Sequence, residues 1–445
     1  MNGMKYMQVN HRREAVPPFP HHKSFYYRVN QFFYPKSLFT HLSYANFLSI
    51  KEVIQGYRHK CTLPRVLLID PTSSCNLRCK GCWAADYAKG DSLSFEKLDE
   101  IITQSEQLGI MDIQLSGGEP LLRKEDILKL CRKHRKTTFG AFTNATLIDE
   151  QFADEIAEVE NLNMYVSIEG TREETDFRRG EGVHEKVLHA MSLLKERKIG
   201  FAFSTCYHSK NYKTIASDEF LDDMRERGAW FGWLFNYVPV GKDADLSLVC
   251  TPEQRAWVRE KVADYSKRNH CLIIDFWNSG HTIYGCVAAG SGYLHINAKG
   301  DVEPCAFCHY SDCNIYDHSL IEALKSPFLT KFRAAQPFSD NPLRACPMID
   351  VPEAITEIVN KGGAQSTHYS DPETVETFVE KVSENAKKWE PVANGLKASM
   401  DEEKVKLFST LVKLLKWRRK ITDDRRKIAV DTIDTQKDFM ETEEL

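Results

Sequence analysis

The chain reads as an α/β protein, a partial (β/α)6 TIM-like barrel followed by a small cysteine-bearing domain and a helical carboxyl terminus. Three observations predict this. Short apolar runs alternate with amphipathic helical stretches six times within about 200 residues. Most of the 13 cysteines that carry a ligand spacing fall in two groups, one inside the alternating region and one after it. At 445 residues and 42% apolar composition, one large domain with appendages is expected. The expected division is an aromatic-rich extension over 1–61, the barrel core over 62–280, an auxiliary domain over 281–350 and a helical extension over 351–445.

The alternation can be followed residue by residue. "RVLLIDP" (65–71) is a buried strand, and "SFEKLDEIITQSEQLG" after it is an amphipathic helix. "MDIQLSGGEP", "TTFGAFTN", "LNMYVSIEG", "GFAFSTCY" and "WFGWLFNYVPVG" supply five more strands. Helical patterns separate them near "KEDILKLCRKH", 149–158 and "HEKVLHAMSLLKERK", and "PEQRAWVREKVADYSKR" follows the last. No period of 20 to 50 residues suggests a solenoid.

Composition excludes several classes. A net charge of −4 gives no general pull toward nucleic acid. No run of about 18 apolar residues and no basic-then-apolar amino terminus is present, so neither a membrane span nor a secretory signal is expected, and the expected compartment is the cytoplasm. An odd number of cysteines in a reducing compartment argues for metal ligation over disulfides.

The first cysteine group is "SSCNLRCKGCW" (73–83), a CxxxCxxC run of Cys75, Cys79 and Cys82 just after the first strand. In a barrel, chemistry sits in the loops at the carboxyl ends of the strands. Three thiolates cap three corners of a [4Fe-4S] cluster and leave one iron open to a ligand. A structural zinc site closes with four ligands, and no fourth Cys or His lies nearby in the sequence. About 35 residues on, "LSGGEPLL" (115–122) ends the second strand: Gly117 and Gly118 allow close backbone approach, and Glu119 offers a carboxylate to an ammonium.

These two motifs together resemble the radical S-adenosylmethionine (radical SAM) superfamily, over about residues 62–280. The resemblance implies an enzyme in which the open iron chelates the methionine end of S-adenosylmethionine and a 5'-deoxyadenosyl radical abstracts hydrogen from a substrate C–H bond. It implies that Gly117, Gly118 and Glu119 hold the amino group. Asn144, Ser167, Glu169 and Arg179 become candidates for ribose and carboxylate, and the backbone from Val238 to Val240 for adenine. Many members carry an aromatic before the third cysteine; here that position is Gly81, and Trp83 follows the cysteine instead. Cys206 and Tyr207, after the fifth strand, are candidate hydrogen donors.

The second group is Cys286, Cys305, Cys308, Cys313 and Cys346. "YLHINAKGDVEPC" reads as a hairpin turning at Lys299 and Gly300 that brings Cys286 and Cys305 together. The Cys, Gly and Cys spacing resembles the opening of the auxiliary-cluster domain that follows many radical SAM barrels, called SPASM in full form and twitch when shortened. It implies one auxiliary [4Fe-4S] cluster on Cys286, Cys305 and Cys346, with Cys308, Cys313 or no residue as fourth ligand. Cys61, Cys131, Cys206, Cys250 and Cys271 lie outside any ligand spacing.

The ends are the least typical part. Residues 25–47 hold nine aromatics, and residues 403–427 carry ten Lys or Arg against three acids. Leu407, Phe408, Leu411, Leu414 and Leu415 would form the apolar side of a basic amphipathic helix. Both ends suit packing against the barrel or a peripheral membrane contact. A plain electron-carrying iron-sulfur protein would not need the GGE segment, and a zinc-binding interaction module would hold zinc. Auxiliary-cluster relatives most often modify peptides, so a peptide or protein is the leading expected substrate and a lipid, isoprenoid or other small metabolite the alternative. The expected electron donor is a flavodoxin or ferredoxin; no nucleic-acid partner is expected.

Overall fold

The computed structural model describes residues 54–85, 90–240, 244–280, 285–368 and 371–422. The aromatic stretch 25–47 and the basic residues after 422 lie outside them. Six strands form the predicted parallel array: β1 (Val66–Ile69), β2 (Asp112–Leu115), β3 (Thr138–Thr143), β4 (Leu162–Ser167), β5 (Phe201–Tyr207) and β6 (Gly232–Asn236). Each pairs in parallel with its sequence neighbour, as in β1 to β2 with Val66 opposite Asp112. Leu67, Ile69, Ile113, Leu115, Phe139, Met164 and Val166 are all fully buried, as expected for strands covered on both faces.

The sheet is wider than six strands. β7 (Ile273–Asp275) adds in parallel to β6, and β8 (Tyr293–Ile296) adds in parallel to β1 at the opposite edge. β9 (Val302–Glu303) returns antiparallel to β8, giving the order β7-β6-β5-β4-β3-β2-β1-β8-β9. The hairpin expected around Gly300 is present, with Gly300 at φ +90 and the Asn297 side chain accepting from the Lys299 and Asp301 amides. Because β8 pairs with β1, the later cysteine domain closes an edge that would otherwise expose unpaired backbone. It is thereby held beside the strand that leads into the first cysteine loop.

A buried ion triplet marks that junction. His295 on β8 lies 3.0 Å from Asp70, which follows β1, and 2.7 Å from Glu303 on β9, with all three side chains fully buried. Burial pulls the imidazole pKa down, but the two carboxylates outweigh it and raise it to about 10. A raised histidine contributes stability that is complete below its unfolded value near 6.5 and is lost as pH rises through about 10. The thermal midpoint of the metal-free protein should therefore fall between pH 7 and 10. His295→Leu should lose that slope and, by leaving buried carboxylates uncompensated, cost about 3–5 kcal/mol. Calorimetry across that range checks both; an unchanged slope in the variant would show that His295 is not the charged partner.

At least two helices escaped the sequence pattern, Asp218–Glu226 between β5 and β6 and Arg172–Arg179 after β4. Arg172–Arg179 (REETDFRR) is almost entirely polar, so it shows no apolar period. It forms because Thr171 and Glu174 make a capping box, and it buries Thr175 and Arg178. At the carboxyl end, helix Glu402–Thr422 docks through Arg419, whose guanidinium donates to the Arg333 and Gln336 carbonyls at 2.6 and 3.0 Å. Phe408 is buried on it, whereas Leu414 and Trp417 are 53% and 57% exposed. No described helix is long and apolar enough to cross a membrane.

Candidate functional site

The loop after β1 carries Cys75, Cys79 and Cys82, and the loop after β2 is pressed against it. The Gly118 amide donates to the Thr72 carbonyl at 3.0 Å and the Glu119 amide to the Ser74 carbonyl at 2.8 Å. A Cβ on Gly118 would stand 2.1 Å from the Ser74 carbonyl oxygen, and one on Gly117, at φ +99, 2.5 Å from that of Thr72. These glycines bring backbone against the cysteine loop itself. Since the obstacle is backbone, it cannot swing aside. Gly118→Ala should displace Cys75, cost about 1–3 kcal/mol, and lower iron bound by the first cysteine set while sparing the second. Iron assay with a spectroscopic count of clusters checks it; full iron loading would sink the packing argument.

Glu119 is 1% exposed. One oxygen accepts from the Leu121 amide at 3.0 Å and the Thr143 hydroxyl at 2.7 Å, and the other from the Asn144 amide at 2.8 Å. A carboxylate offers about four acceptor positions, so about one is left for a donor outside the chain. Asn144 is spent locally: its amide nitrogen donates to Asn76 in the cysteine loop at 2.8 Å, and its oxygen accepts from Thr146.

Beyond β4 stands the strongest charge cluster. Glu169, fully buried, accepts from Arg178 at 2.7 Å and is 2.6 Å from an Arg179 nitrogen, while its second oxygen accepts from the Cys206 amide at 3.1 Å. Burial alone would raise the Glu169 carboxyl, but the two guanidinium groups hold it below the usual range. Arg178 also faces Cys79, Cys82 and Cys206. Ser167 ends β4, half-buried. Arg178 was missed in the sequence; its only signal was a second arginine beside Arg179. Cys206, its thiol pushed up to about 11 by burial, lies near Arg178 and Cys82. Tyr207 is tied to β7 instead, donating to Asp275 at 3.2 Å, because adjacent strand residues face opposite ways.

The space at Gly81 is covered, but not by Trp83. A Cβ at Gly81, at φ +61, would meet the Tyr237 ring at 2.7 Å, and the Tyr237 hydroxyl is held by the Asp245 amide at 2.8 Å. Val238 and Val240 beyond it are buried. Trp83 turns toward the later domain, with ring centroids 5.9 Å from Phe307, His295 and His309.

In the second cysteine group, Cys286, Cys305 and Cys346 line one cavity with Phe276, Trp277 and Phe307. Burial pushes the Cys286 thiol up to about 11 and the Cys305 thiol to about 12, so iron would have to displace their protons. The Cys346 amide donates to Asp350 at 3.1 Å, and Arg255 holds the same carboxylate at 2.5 Å, anchoring this loop to helix Pro252–Asn269. Aromatic contacts join the two cysteine groups. Phe307 lies 5.0 Å from Trp277, Phe235 6.0 Å from Trp277, and Trp233 stacks on Phe235 at 5.7 Å.

Residues 69–221 match the model of the radical SAM superfamily, and residues 286–347 that of SPASM, an iron-sulfur cluster-binding domain. The chain thus carries a radical SAM domain followed by an iron-sulfur cluster-binding SPASM domain. An uncharacterized protein of Archaeoglobus fulgidus is 32% identical over 32% of this chain, a match spanning only 35% of that relative. An AdoMet-dependent heme synthase of Oleidesulfovibrio alaskensis is 26% identical over 62% of this chain and 78% of its own. Among solved structures, Streptococcus suis SuiB bound to S-adenosylmethionine is 18% identical with a TM-score of 0.56, covering 67% of this chain and 76% of that one, a likeness of fold.

The radical SAM cofactors fit the donor set. Cys75, Cys79 and Cys82 share the loop after β1, and Cys286, Cys305 and Cys346 line one cavity; thiolates are the usual ligands of iron-sulfur clusters. Around the first set, Arg178 Nε and His208 Nε2 are buried without a hydrogen-bond partner among the described residues, on the helix after β4 and just past the carboxyl end of β5. Buried polar atoms are rarely left orphaned, and a polar ligand over these strand ends would satisfy them. A [4Fe-4S] cluster with S-adenosylmethionine and an auxiliary iron-sulfur cluster are the cofactors that go with these two domains.

Proposed function

We propose that this radical SAM enzyme acts on an apolar, non-peptide substrate held between its two cysteine sets. The observation that carries this is the aromatic wall of Trp83, Phe235, Phe276, Trp277 and Phe307 between them. Trp83, Phe235, Phe276 and Phe307 are half-buried and Trp277 is buried; such aromatics bind apolar surface far better than peptide backbone, whose amides would lose water without finding partners there.

S-adenosylmethionine bound at a cluster on Cys75, Cys79 and Cys82 would supply radical chemistry able to remove a hydrogen atom from a substrate C–H bond. The chain's own part is positional. Cys75, Cys79 and Cys82 hold the iron; Gly117 and Gly118 seat that loop; the last acceptor position of Glu119 receives an ammonium. Arg178 and Arg179, kept charged by Glu169, present cations to a carboxylate, and Tyr237 takes the aromatic place that Gly81 leaves empty. Ser167, Val238 and Val240 remain the proposed ribose and adenine contacts. The aromatic wall keeps water away from the reacting carbon. A low-potential flavodoxin or ferredoxin supplies the electron.

A relative named an AdoMet-dependent heme synthase is consistent with a non-peptide substrate. So are Leu414 and Trp417, exposed beside Lys413 and Lys416 on the last helix, a pattern suited to an anionic membrane surface. The test is release of 5'-deoxyadenosine by reconstituted, dithionite-reduced enzyme given anaerobic cell extract. Stimulation should survive protease treatment and pass into the organic-soluble fraction. Stimulation destroyed by protease would overturn the proposal in favour of a peptide, as in SuiB, whose structure has been solved bound to precursor peptide SuiA.

A further inference from the structure

We propose that the protein docks peripherally on an anionic lipid bilayer through two helical faces that share one anchor, residues 54–59 and helix Glu402–Thr422. This concerns an interaction surface and goes beyond the substrate reading. Vesicle binding and substrate turnover are measured separately, so either can fail alone.

The last helix turns an apolar pair outward. Its docked side carries buried Phe408 and half-buried Val405, Val412 and Arg419. The opposite arc carries Lys406, Lys413, Leu414, Lys416 and Trp417, all exposed, and spacings of three and four residues set the last four side by side. Residues 404–420 contain seven Lys or Arg and no Asp or Glu, so this helix offers the face no acid of its own. The same composition recurs early in the chain. Ile54 and Tyr57, 58% and 68% exposed, stand one turn apart beside exposed Arg58 and Lys60. Each face thus pairs one aliphatic and one aromatic side chain with basic neighbours.

Both segments rest on one block, Leu324 to Gln336. Cys61 closes the turn after residues 54–59, its amide donating to the Gly56 carbonyl at 3.0 Å, and its thiol donates to the Leu324 carbonyl at 3.6 Å. Arg419 donates to the Arg333 and Gln336 carbonyls at the end of helix Pro327–Ala335, where backbone acceptors lack helical partners. Arg333 in turn reaches back to the Leu324 carbonyl at 2.8 Å. The same block supports the cavity between the cysteine sets, because Gln336 donates at 3.2 Å to the carbonyl of Ala288, which lines it. Aromatic side chains settle at the bilayer interface, aliphatic ones insert below it, and basic ones meet anionic headgroups. A surface that is anionic above and apolar beneath suits both faces, and a bilayer is such a surface, whereas an acidic protein matches only their charge.

The experiment is cosedimentation of the full-length, anaerobically reconstituted protein with vesicles of phosphatidylcholine alone or mixed with phosphatidylglycerol. Binding should favour the mixed vesicles at low salt and weaken as salt rises. Lys413→Ala with Lys416→Ala should lower partitioning about 30-fold, at roughly fivefold for each basic residue. Leu414→Ser with Trp417→Ser should lower it about tenfold or more, and Tyr57→Ser should lower it in the same direction. Leu246→Ser, at a leucine 53% exposed on the turn after β6, should leave it unchanged. All these positions are exposed, and circular dichroism checks that each variant keeps the fold. The proposal is overturned if the wild type stays in the supernatant with mixed vesicles at low salt, if the helix variants sediment as the wild type does, or if Leu246→Ser loses as much as they do. A dimer that Trp417→Ser dissociates would also overturn it, assigning the face to a second copy of the chain. None of these results bears on the protease test of the substrate.

Discussion

Replacing Cys75, Cys79 and Cys82 together by alanine should remove about half of roughly eight iron atoms bound by the reconstituted protein and abolish cleavage of S-adenosylmethionine. The two cysteine sets lie on different loops, one after β1 and the other around the β8–β9 hairpin. Losing the first leaves the second with its anchors intact, since Asp350 and Arg255 hold Cys346 without help from the first loop. The fold should survive: the three cysteines are only half-buried and belong to no strand or helix. Iron analysis, EPR and chromatography of 5'-deoxyadenosine measure the outcome. A triple variant that keeps all its iron, or still cleaves the cofactor, would remove the basis for the first site.

What the sequence made legible followed from strong local signals. Six strands alternating with amphipathic helices were visible because each is an apolar run with its own period. CxxxCxxC and GGE were visible because their chemistry needs fixed spacing. The join of β8 to β1 was not visible: a four-residue strand more than 220 residues from its partner leaves no local trace. Helix Arg172–Arg179 was hidden by its polarity, and with it Arg178, which turns inward because Glu169 waits there. Tyr237 could not be paired with Gly81 from spacing alone, for a separation of 156 positions becomes one ring contact only when β6 lies near β1's loop. Pattern reports what a segment prefers by itself, whereas these features exist only through partners supplied by the fold.

The second large effect is expected at Glu169. Its side chain is fully buried, and it is the carboxylate paired with both Arg178 and Arg179, at 2.7 and 2.6 Å. Glu169→Gln keeps the shape but removes the charge, and its amide would bring donor hydrogens toward guanidinium groups that are themselves only donors. Two buried cations would lose their counterion, a change that costs about 3–5 kcal/mol in comparable buried pairs. Because the Glu169 pKa is lowered on folding, its stabilisation is present above the ordinary glutamate value near 4.3 and disappears as pH falls below it. The difference between wild type and variant in denaturant midpoint should thus be large at pH 7 and shrink in acid. The guanidinium groups also face Cys79 and Cys82, so freeing them should weaken S-adenosylmethionine binding in the folded fraction, while Glu169→Asp, retaining the charge on a shorter arm, should recover part of both losses. A Gln variant within about 1 kcal/mol of wild type at pH 7 would mean that these arginines are balanced by something other than Glu169. The thiolates of the first cysteine set would then be the remaining counterions, and the stability of the empty protein would have to depend on their ionisation instead.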